Sequence, residues 1–239
     1  MKIQAHRGAS KERPENTMSA FKRAIELGAY GIELDVHLLR DGSLVVHHDG
    51  ILGRCENVKG SIYDYTSENI KSFSVGEWFS SEYKDETVPF LSEVLELIKD
   101  TDIFLNVEVK GSGFIDACTE ILIKLLDKYN MAERCIISSF NHYLLKDIKE
   151  KYPNYKTGIL YGDNFGRDMV EYNLKYNFDA VNPQYGGITG DMVKKFHENG
   201  ILVNVWTVDL EEDIQKMAEY SVDSIITNDV AAAKKAVGC

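Results

Sequence analysis

Short apolar runs alternate with segments of helical periodicity along almost the whole of this 239-residue chain, and that alternation narrows the possible folds more than any other feature. Residues 2–8 (KIQAHRG) read as a strand, followed by a helix from about residue 15 to residue 27 that Gly28 closes. Residues 31–39 (GIELDVHLL) and 43–48 (SLVVHH) are strand-like runs joined across Asp41-Gly42, a common hairpin turn. Residues 50–88 carry Gly, Ser, Asn and Tyr without clear period, and a short irregular insertion after the second strand is expected there. Further strands are expected over 103–110, 135–140, 156–161, 180–182, 201–208 and 224–227. Helices are expected over 89–99, 114–129, 142–151, 167–176, 190–199, 210–220 and 230–237. With the hairpin partner set aside, these make eight strand–helix units of roughly 25–30 residues, the length a βαβ unit needs. Eight such units predict an α/β fold of the (β/α)8 TIM-barrel type, one domain over residues 1–239. An open doubly wound sheet is the alternative, but no GxGxxG follows the first strand.

Composition limits the partners. Hydrophobic residues form 44% of the chain, enough for a sizeable core, and a charged fraction of 27% is ordinary for a globular protein. The net charge of −11 repels phosphate backbones and anionic membranes, so neither a nucleic acid partner nor stable membrane insertion is expected. A site for a small anionic substrate must then be neutralised locally by a cation, Arg or Lys. Cys55, Cys118, Cys135 and Cys239 form no CxxC pair and are expected to be reduced and mostly buried. The N-terminus has no long apolar stretch, and no run approaches a membrane span, so a cytoplasmic protein is expected.

In such a barrel the active site lies at the C-terminal ends of the strands, where a core would otherwise prefer Val or Ile. Polar groups gather at those ends. The first strand finishes in His6-Arg7-Gly8, and the second carries Glu33 and Asp35 two apart, on one face. Ile32, Leu34 and Val36 would then face the helices. His47-His48-Asp49 ends the hairpin partner, Glu108 and Lys110 sit two apart on the next strand, and Trp206 is flanked by Val205 and Thr207. Each has a structural reading too: a hydrogen-bonded core histidine, an edge-strand acid pair, an internal ion pair, a core tryptophan. If Glu33, Asp35 and Glu108 converge, each ionised pair at ~5 Å repels by about 3 kcal/mol at an effective dielectric near 20. Three pairs approach ~10 kcal/mol, comparable to a whole domain's stability. The group must be held apart, partly protonated, or bound to a cation. Carboxylate ligands without thiolate suit a hard ion, Mg2+ or Ca2+.

Taken in order, His6-Arg7-Gly8, Pro14-Glu15-Asn16-Thr17, Glu33-Leu34-Asp35-Val36, His48-Asp49 with Arg54, Glu108-Val109-Lys110, Ser138-Ser139-Phe140 and Trp206-Thr207-Val208 resemble the bacterial glycerophosphodiester phosphodiesterases over essentially the whole chain. The resemblance implies a (β/α)8 barrel with a divalent ion and a small glycerophosphodiester substrate. It implies His6 and His48 as the general acid/base pair, Glu33, Asp35 and Glu108 as metal ligands, and Arg7, Lys110 and Trp206 as substrate contacts. His47 falls where that family is usually apolar, so His48 is the catalytic choice. Two departures touch loop detail and alcohol preference. Thr227-Asn228-Asp229-Val230 lacks the usual proline, and Cys55-Glu56 stand where threonines are common. Glu15 or Asn16 is expected to cap the first helix, with a direct role for Asn16 left open. Two other readings stand beside this one: a related phosphodiesterase acting on lysophospholipids, for which Trp78, Phe79 and Tyr83 offer apolar loop residues, and a non-catalytic binding module.

Overall fold

In the computed structural model, which describes residues 1–111, 115–162 and 168–238, the expected alternation appears as a closed sheet wrapped by helices. The expected helix starts at 114 and 167, and Cys239, lie outside the described residues. The first part runs β1 (Lys2–His6), α1 (Met18–Glu26), β2 (Gly31–Leu38), β3 (Leu44–Val46), β4 (Ile51–Leu52), β5 (Gly60–Ser61) and α2 (Leu91–Ile98). The middle runs β6 (Phe104–Val109), α3 (Ile115–Lys128), β7 (Cys135–Ser139), α4 (His142–Lys151), β8 (Lys156–Tyr161) and α5 (Met169–Tyr176). The last part runs β9 (Ala180–Pro183), α6 (Gly190–Glu198), β10 (Leu202–Val205), α7 (Glu211–Glu219), β11 (Ser224–Thr227) and α8 (Val230–Val237).

Strands β1, β2, β6, β7, β8, β9, β10 and β11 pair in parallel, and the β1–β2 ladder closes the ring into a (β/α)8 barrel. Within this sheet β3 runs antiparallel, on the far end of β2. Register fixes the chemistry: His6 lies opposite Glu33 on β1–β2, and Asp35 lies opposite Glu108 on β2–β6. Ile32, Leu34 and Val36 are completely buried, on the face opposite the acids as alternation requires.

The barrel interior is not an aliphatic stack. Ser138 Oγ donates to Asn106 Oδ1 (2.8 Å), Asn106 Nδ2 to Gln4 Oε1 (3.1 Å), and Gln4 Nε2 to Ser224 Oγ (2.7 Å). Ser224 Oγ then donates to Asn204 Oδ1 (2.7 Å), and Asn204 Nδ2 to Asn182 Oδ1 (3.1 Å). Six polar side chains on six strands form one buried, directional chain of hydrogen bonds across the interior. Each of the six side chains is paired along that chain, while Asn182 Nδ2 at its end has no hydrogen-bond partner among the described residues.

Several local expectations are corrected. Thr17, not Glu15 or Asn16, caps α1, accepting from Ala20 N at 3.3 Å. Asn16 has a left-handed φ of 54° and turns its side chain inward. The strand expected over 43–48 stops at Val46, and that over 201–208 stops at Val205, so His47, His48 and Trp206 sit just past strand ends. Gly8 takes a φ of +82°, and a Cβ there would fall 2.7 Å from the Ala20 carbonyl carbon, so glycine lets the first βα loop dock on α1.

Residues 50–88 are better organised than their composition suggested. They hold the short β4–β5 hairpin and three 3-10 turns. They also contribute most of a second apolar cluster, in which Leu39 and Val45 from the β2–β3 hairpin meet Leu52, Ile62, Ile70, Phe73, Val75 and Val88. Trp78 remains 47% exposed and makes edge contact with Phe79, which in turn meets Tyr83. Ile62 is fully buried in the second cluster. Ile62→Ala is expected to cost about 2–5 kcal/mol, lowering Tm by roughly 5–15 °C. A thermal melt within about 1 °C of the parent would show that the excursion does not unfold with the barrel.

Candidate active site at the C-terminal mouth of the barrel

The register of β2 against β1 and β6 brings Glu33, Asp35 and Glu108 together, each with a carboxylate oxygen within 4.8 Å of the others, and all three are buried. Positive groups surround them. Lys110 Nζ lies 2.8 Å from Asp35 Oδ1 and 2.6 Å from Glu108 Oε1, and Arg7 Nε lies 3.3 Å from Asp35 Oδ2. The Arg7 N–H donates to Glu33 Oε2 (3.1 Å), and Asn16 Nδ2 donates to Asp35 Oδ2 (2.8 Å).

The charges settle unequally. Burial raises all three carboxyls. At Asp35 the adjacent Lys110 and Arg7 outweigh it and hold that group well below its ordinary value. Burial, then Asp35 and Glu108, push Glu33 well up. Burial and Asp35 push Glu108 up to about 7 in spite of Lys110. The donor set is therefore one firmly ionised carboxylate and two that gain from a positive charge. Asn16 Oδ1, buried beside Asp35, has no hydrogen-bond partner among the described residues. An all-oxygen set of this kind fits a hard divalent cation.

Two imidazoles reach the same space. His6 Nδ1 contacts Asn228 Oδ1 at 2.7 Å, and its Nε2 lies 4.0 Å from Glu33 Oε2. Burial, reinforced by Arg7, lowers the His6 pKa to about 4, so its ring is neutral at neutral pH. His48 Nδ1 contacts Asp49 Oδ1 at 2.7 Å, and burial lowers its pKa as well. His6, Arg7, Glu33, His48, Glu108, Lys110 and Trp206 all line one cavity of about 90 Å3, with Asn106, Ser138 and Phe140 among its other walls. Trp206 is fixed by its indole N–H on Asn182 O (2.7 Å) and by an edge contact with Phe140. A larger groove of about 650 Å3 shares Glu108, Lys110 and Phe140 with the cavity and continues past Tyr143, Tyr172 and Tyr176.

His47 points elsewhere, into a buried contact with Glu56 at 2.9 Å. All eight candidate residues thus meet at one mouth, Asp35 through the carboxylate cluster and the other seven on the cavity wall. Sequence reasoning did not assign the partners that hold them. Glu15 Oε1 accepts from Arg7 Nη1 at 2.7 Å and from Arg54 Nη2 at 2.7 Å, and Arg54 Nε donates to Asp49 Oδ2 at 2.6 Å. Asp49 was signalled by following His48 directly. Asn228, the partner of His6, showed only as a departure from a motif, and Asp209, which contacts Asn228, carried no signal.

Fold and site together define a (β/α)8-barrel enzyme whose catalytic end is built on a buried carboxylate cluster flanked by imidazoles. A family model described as the glycerophosphoryl diester phosphodiesterase family matches residues 6–232, and the chain belongs to that family. It is 45% identical over 229 residues to a glycerophosphodiester phosphodiesterase of Caldanaerobacter subterraneus subsp. tengcongensis, covering 94% of this chain and 93% of that one. An Oleispira antarctica phosphodiesterase, solved in complex with the product sn-glycerol-3-phosphate, superposes with a TM-score of 0.93 at 25% identity, over 100% of this chain and 97% of its own. A glycerophosphodiester phosphodiesterase from Thermotoga maritima gives 0.81 at 30% identity, over 98% and 96%.

The raised carboxyls set a pH dependence. Glu108 keeps its proton up to about 7 in the folded chain, against an ordinary value of 4.5. The folded state therefore binds the extra proton between those values, and this group's contribution to stability is lost as pH rises through that window. A divalent cation bound there would replace the proton, and its affinity would rise over the same window by roughly tenfold per pH unit for each proton displaced. Calorimetric titration with Ca2+ should give at least about tenfold tighter binding at pH 8 than at pH 6. Equal affinities would show that these carboxylates are not the binding groups.

Proposed function

We propose that this chain hydrolyses glycerophosphodiesters to sn-glycerol 3-phosphate and a free alcohol, with Mg2+ or Ca2+ held by Glu33, Asp35 and Glu108, and with His6 and His48 as general acid and base. The observation that carries the proposal is the convergence of both imidazoles, Arg7 and Lys110 on that carboxylate cluster at a single cavity, in a chain of this family. The product bound to the Oleispira relative supports the choice of glycerol phosphate. The full set of acids and imidazoles favours turnover over mere binding.

A phosphodiester resists attack because its anionic oxygens repel nucleophiles and its leaving alkoxide is poor. A cation held by Glu33, Asp35 and Glu108 would supply positive charge to the phosphoryl oxygens. Arg7 and Lys110 add theirs from fixed positions, which requires no reorganisation as charge develops. As a hydroxyl of water or of the substrate's own glycerol forms its bond to phosphorus, one imidazole takes the proton. As the P–O bond to the alcohol breaks, its electron pair stays on the departing oxygen, and the other imidazole supplies a proton there. The aromatic groove past Phe140 receives the alcohol, and Trp206 closes the glycerol side.

We read residues 1–239 as one barrel domain, with 50–88 packed beside it. Among the described residues no helix is long and apolar enough to cross a membrane. Cys55, Cys118 and Cys135 are buried free thiols, which fits a reducing cytoplasm.

The test is release of glycerol phosphate from several glycerophosphodiesters, first with chelator and then with Mg2+ or Ca2+ restored. Activity should vanish and return. Replacing His6 or His48 by Ala should lower kcat by around 10²–10⁴-fold. Near-normal turnover in both variants would reject their assignment.

A further inference from the structure

The two imidazoles are held differently, and the difference lies in residues outside the cavity. His6 Nδ1 faces Asn228 Oδ1 at 2.7 Å. By itself that contact leaves the ring tautomer open, because an amide presents either an acceptor or a donor depending on which way it is turned. Ser10 Oγ, 2.8 Å from the same Oδ1, does not decide it, since a hydroxyl can donate or accept.

Asp209 decides it. The other end of the Asn228 amide lies 2.6 Å from Asp209 Oδ2. A carboxylate only accepts, so the atom against it must be the amide nitrogen. A turned amide would set two oxygens at that distance. The Asn228 oxygen is therefore committed to the His6 side, where it accepts from Nδ1–H. Asp209 has no need of this contact to hold the loop. Its Oδ1 already takes Thr227 Oγ1 (2.9 Å) and the Asn228 N–H (2.8 Å), while Asp229 separately caps α8 at Ala232 N (2.9 Å). The contact to the side-chain amide adds only one thing, the direction in which Asn228 points.

We propose that Asp209 and Asn228 are positioning residues that hold His6 as its Nδ1–H tautomer, so that Nε2 keeps its lone pair on the cavity side and serves as the proton acceptor of the reaction. This rests on the reading of His6 as a catalytic group and deepens it by assigning the roles. Nε2 takes the proton of the attacking hydroxyl as the new O–P bond forms. His48, whose Nδ1 lies against the Asp49 carboxylate rather than an amide, is left to protonate the departing alcohol oxygen. The charge that appears on His6 is met by an amide oxygen already aimed at Nδ1–H, with no rearrangement.

Four variants and one spectrum test this. In Asp209→Asn the amide at 209 can donate to the Asn228 oxygen and let Asn228 turn. The kcat should fall by roughly 10–100-fold, with KM and Ca2+ affinity unchanged. Asn228→Asp alone sets two carboxylates against each other and should also lose turnover. Combining the two restores one carboxylate and one amide, with the acceptor again facing Nδ1–H, and should recover much of the kcat lost by either alone. Imidazole 15N shifts should show the proton of His6 on Nδ1 in the parent and spread over both nitrogens in Asp209→Asn. Parent-like kcat in Asp209→Asn, a double variant no better than the singles, or an Nε2–H tautomer in the parent would overturn the proposal. His6→Ala separates the two layers of argument. If it stays active, the reading of His6 itself falls; if it is inactive while Asp209→Asn is unimpaired, only the positioning role falls.

Discussion

Mutual repulsion among Glu33, Asp35 and Glu108 is the constraint around which the mouth of this barrel is arranged. Three buried carboxylates within 4.8 Å of one another are tenable only with compensating charge. Lys110 bridges Asp35 and Glu108, and Arg7 lies against Asp35, so two fixed cations stand beside three acids. Burial pushes all three up, and with only two cations to answer it Asp35 alone is held firmly ionised while Glu33 and Glu108 stay raised. That shortage of positive charge also bears on the proposed binding of a cation there. A set already neutralised by the protein would have little affinity left for a metal, whereas one left short of positive charge attracts it.

Such a cluster needs a floor that does not shift. The six polar side chains below it supply one, running from Ser138 through Asn106, Gln4, Ser224 and Asn204 to Asn182. Asn106 and Ser138 line the catalytic cavity directly, and the Asn182 carbonyl takes the indole N–H of Trp206. Aliphatic side chains would fill this layer equally well, but they would not fix orientation. Hydrogen bonds with a single direction do, and in a low-dielectric interior each polarises the next.

The barrel was legible because its signal is periodic: apolar runs spaced for βαβ units specify a parallel sheet, and alternation on β2 specifies which face holds Glu33 and Asp35. Seven of the eight candidate site residues stood out because ionisable groups at strand ends are conspicuous in an apolar context, and Trp206 stood out through the Trp206-Thr207-Val208 run. What the sequence did not reveal has no period. Thr17 displaced Glu15 and Asn16 as the α1 cap because the chain turns left-handed at Asn16, and nothing local announces that turn. The apolar residues of 50–88 serve a small curved cluster with no long element, so their spacing looked random. Asn228 was visible only as a departure from a motif. Its meaning depends on His6, 222 positions away, and on Asp209, and only closure of the barrel brings the three together.

That excursion bears on the chemistry without taking part in it. From Asp49 a line of alternating charge runs through Arg54, Glu15, Arg7 and Asp35 to Lys110, with His48 against its first member and Glu108 against its last. Arg54 is its one member from residues 50–88, and the loop carrying it is tied down by the buried Glu56–His47 contact and by the Glu56 carboxylate on the Gly53 and Cys55 N–H groups. Glu15 explains why this matters. Burial and both arginines bear on it, and it is held down to about 2, fully ionised beside Arg7. Were Arg54 absent, that carboxylate would be answered by Arg7 alone. Arg54 takes up part of the charge of Glu15 and so leaves Arg7 positive toward the cavity. A stretch that supplies none of the cavity-lining side chains therefore has to be folded, with its own apolar cluster, for Arg54 to reach Glu15 and Asp49.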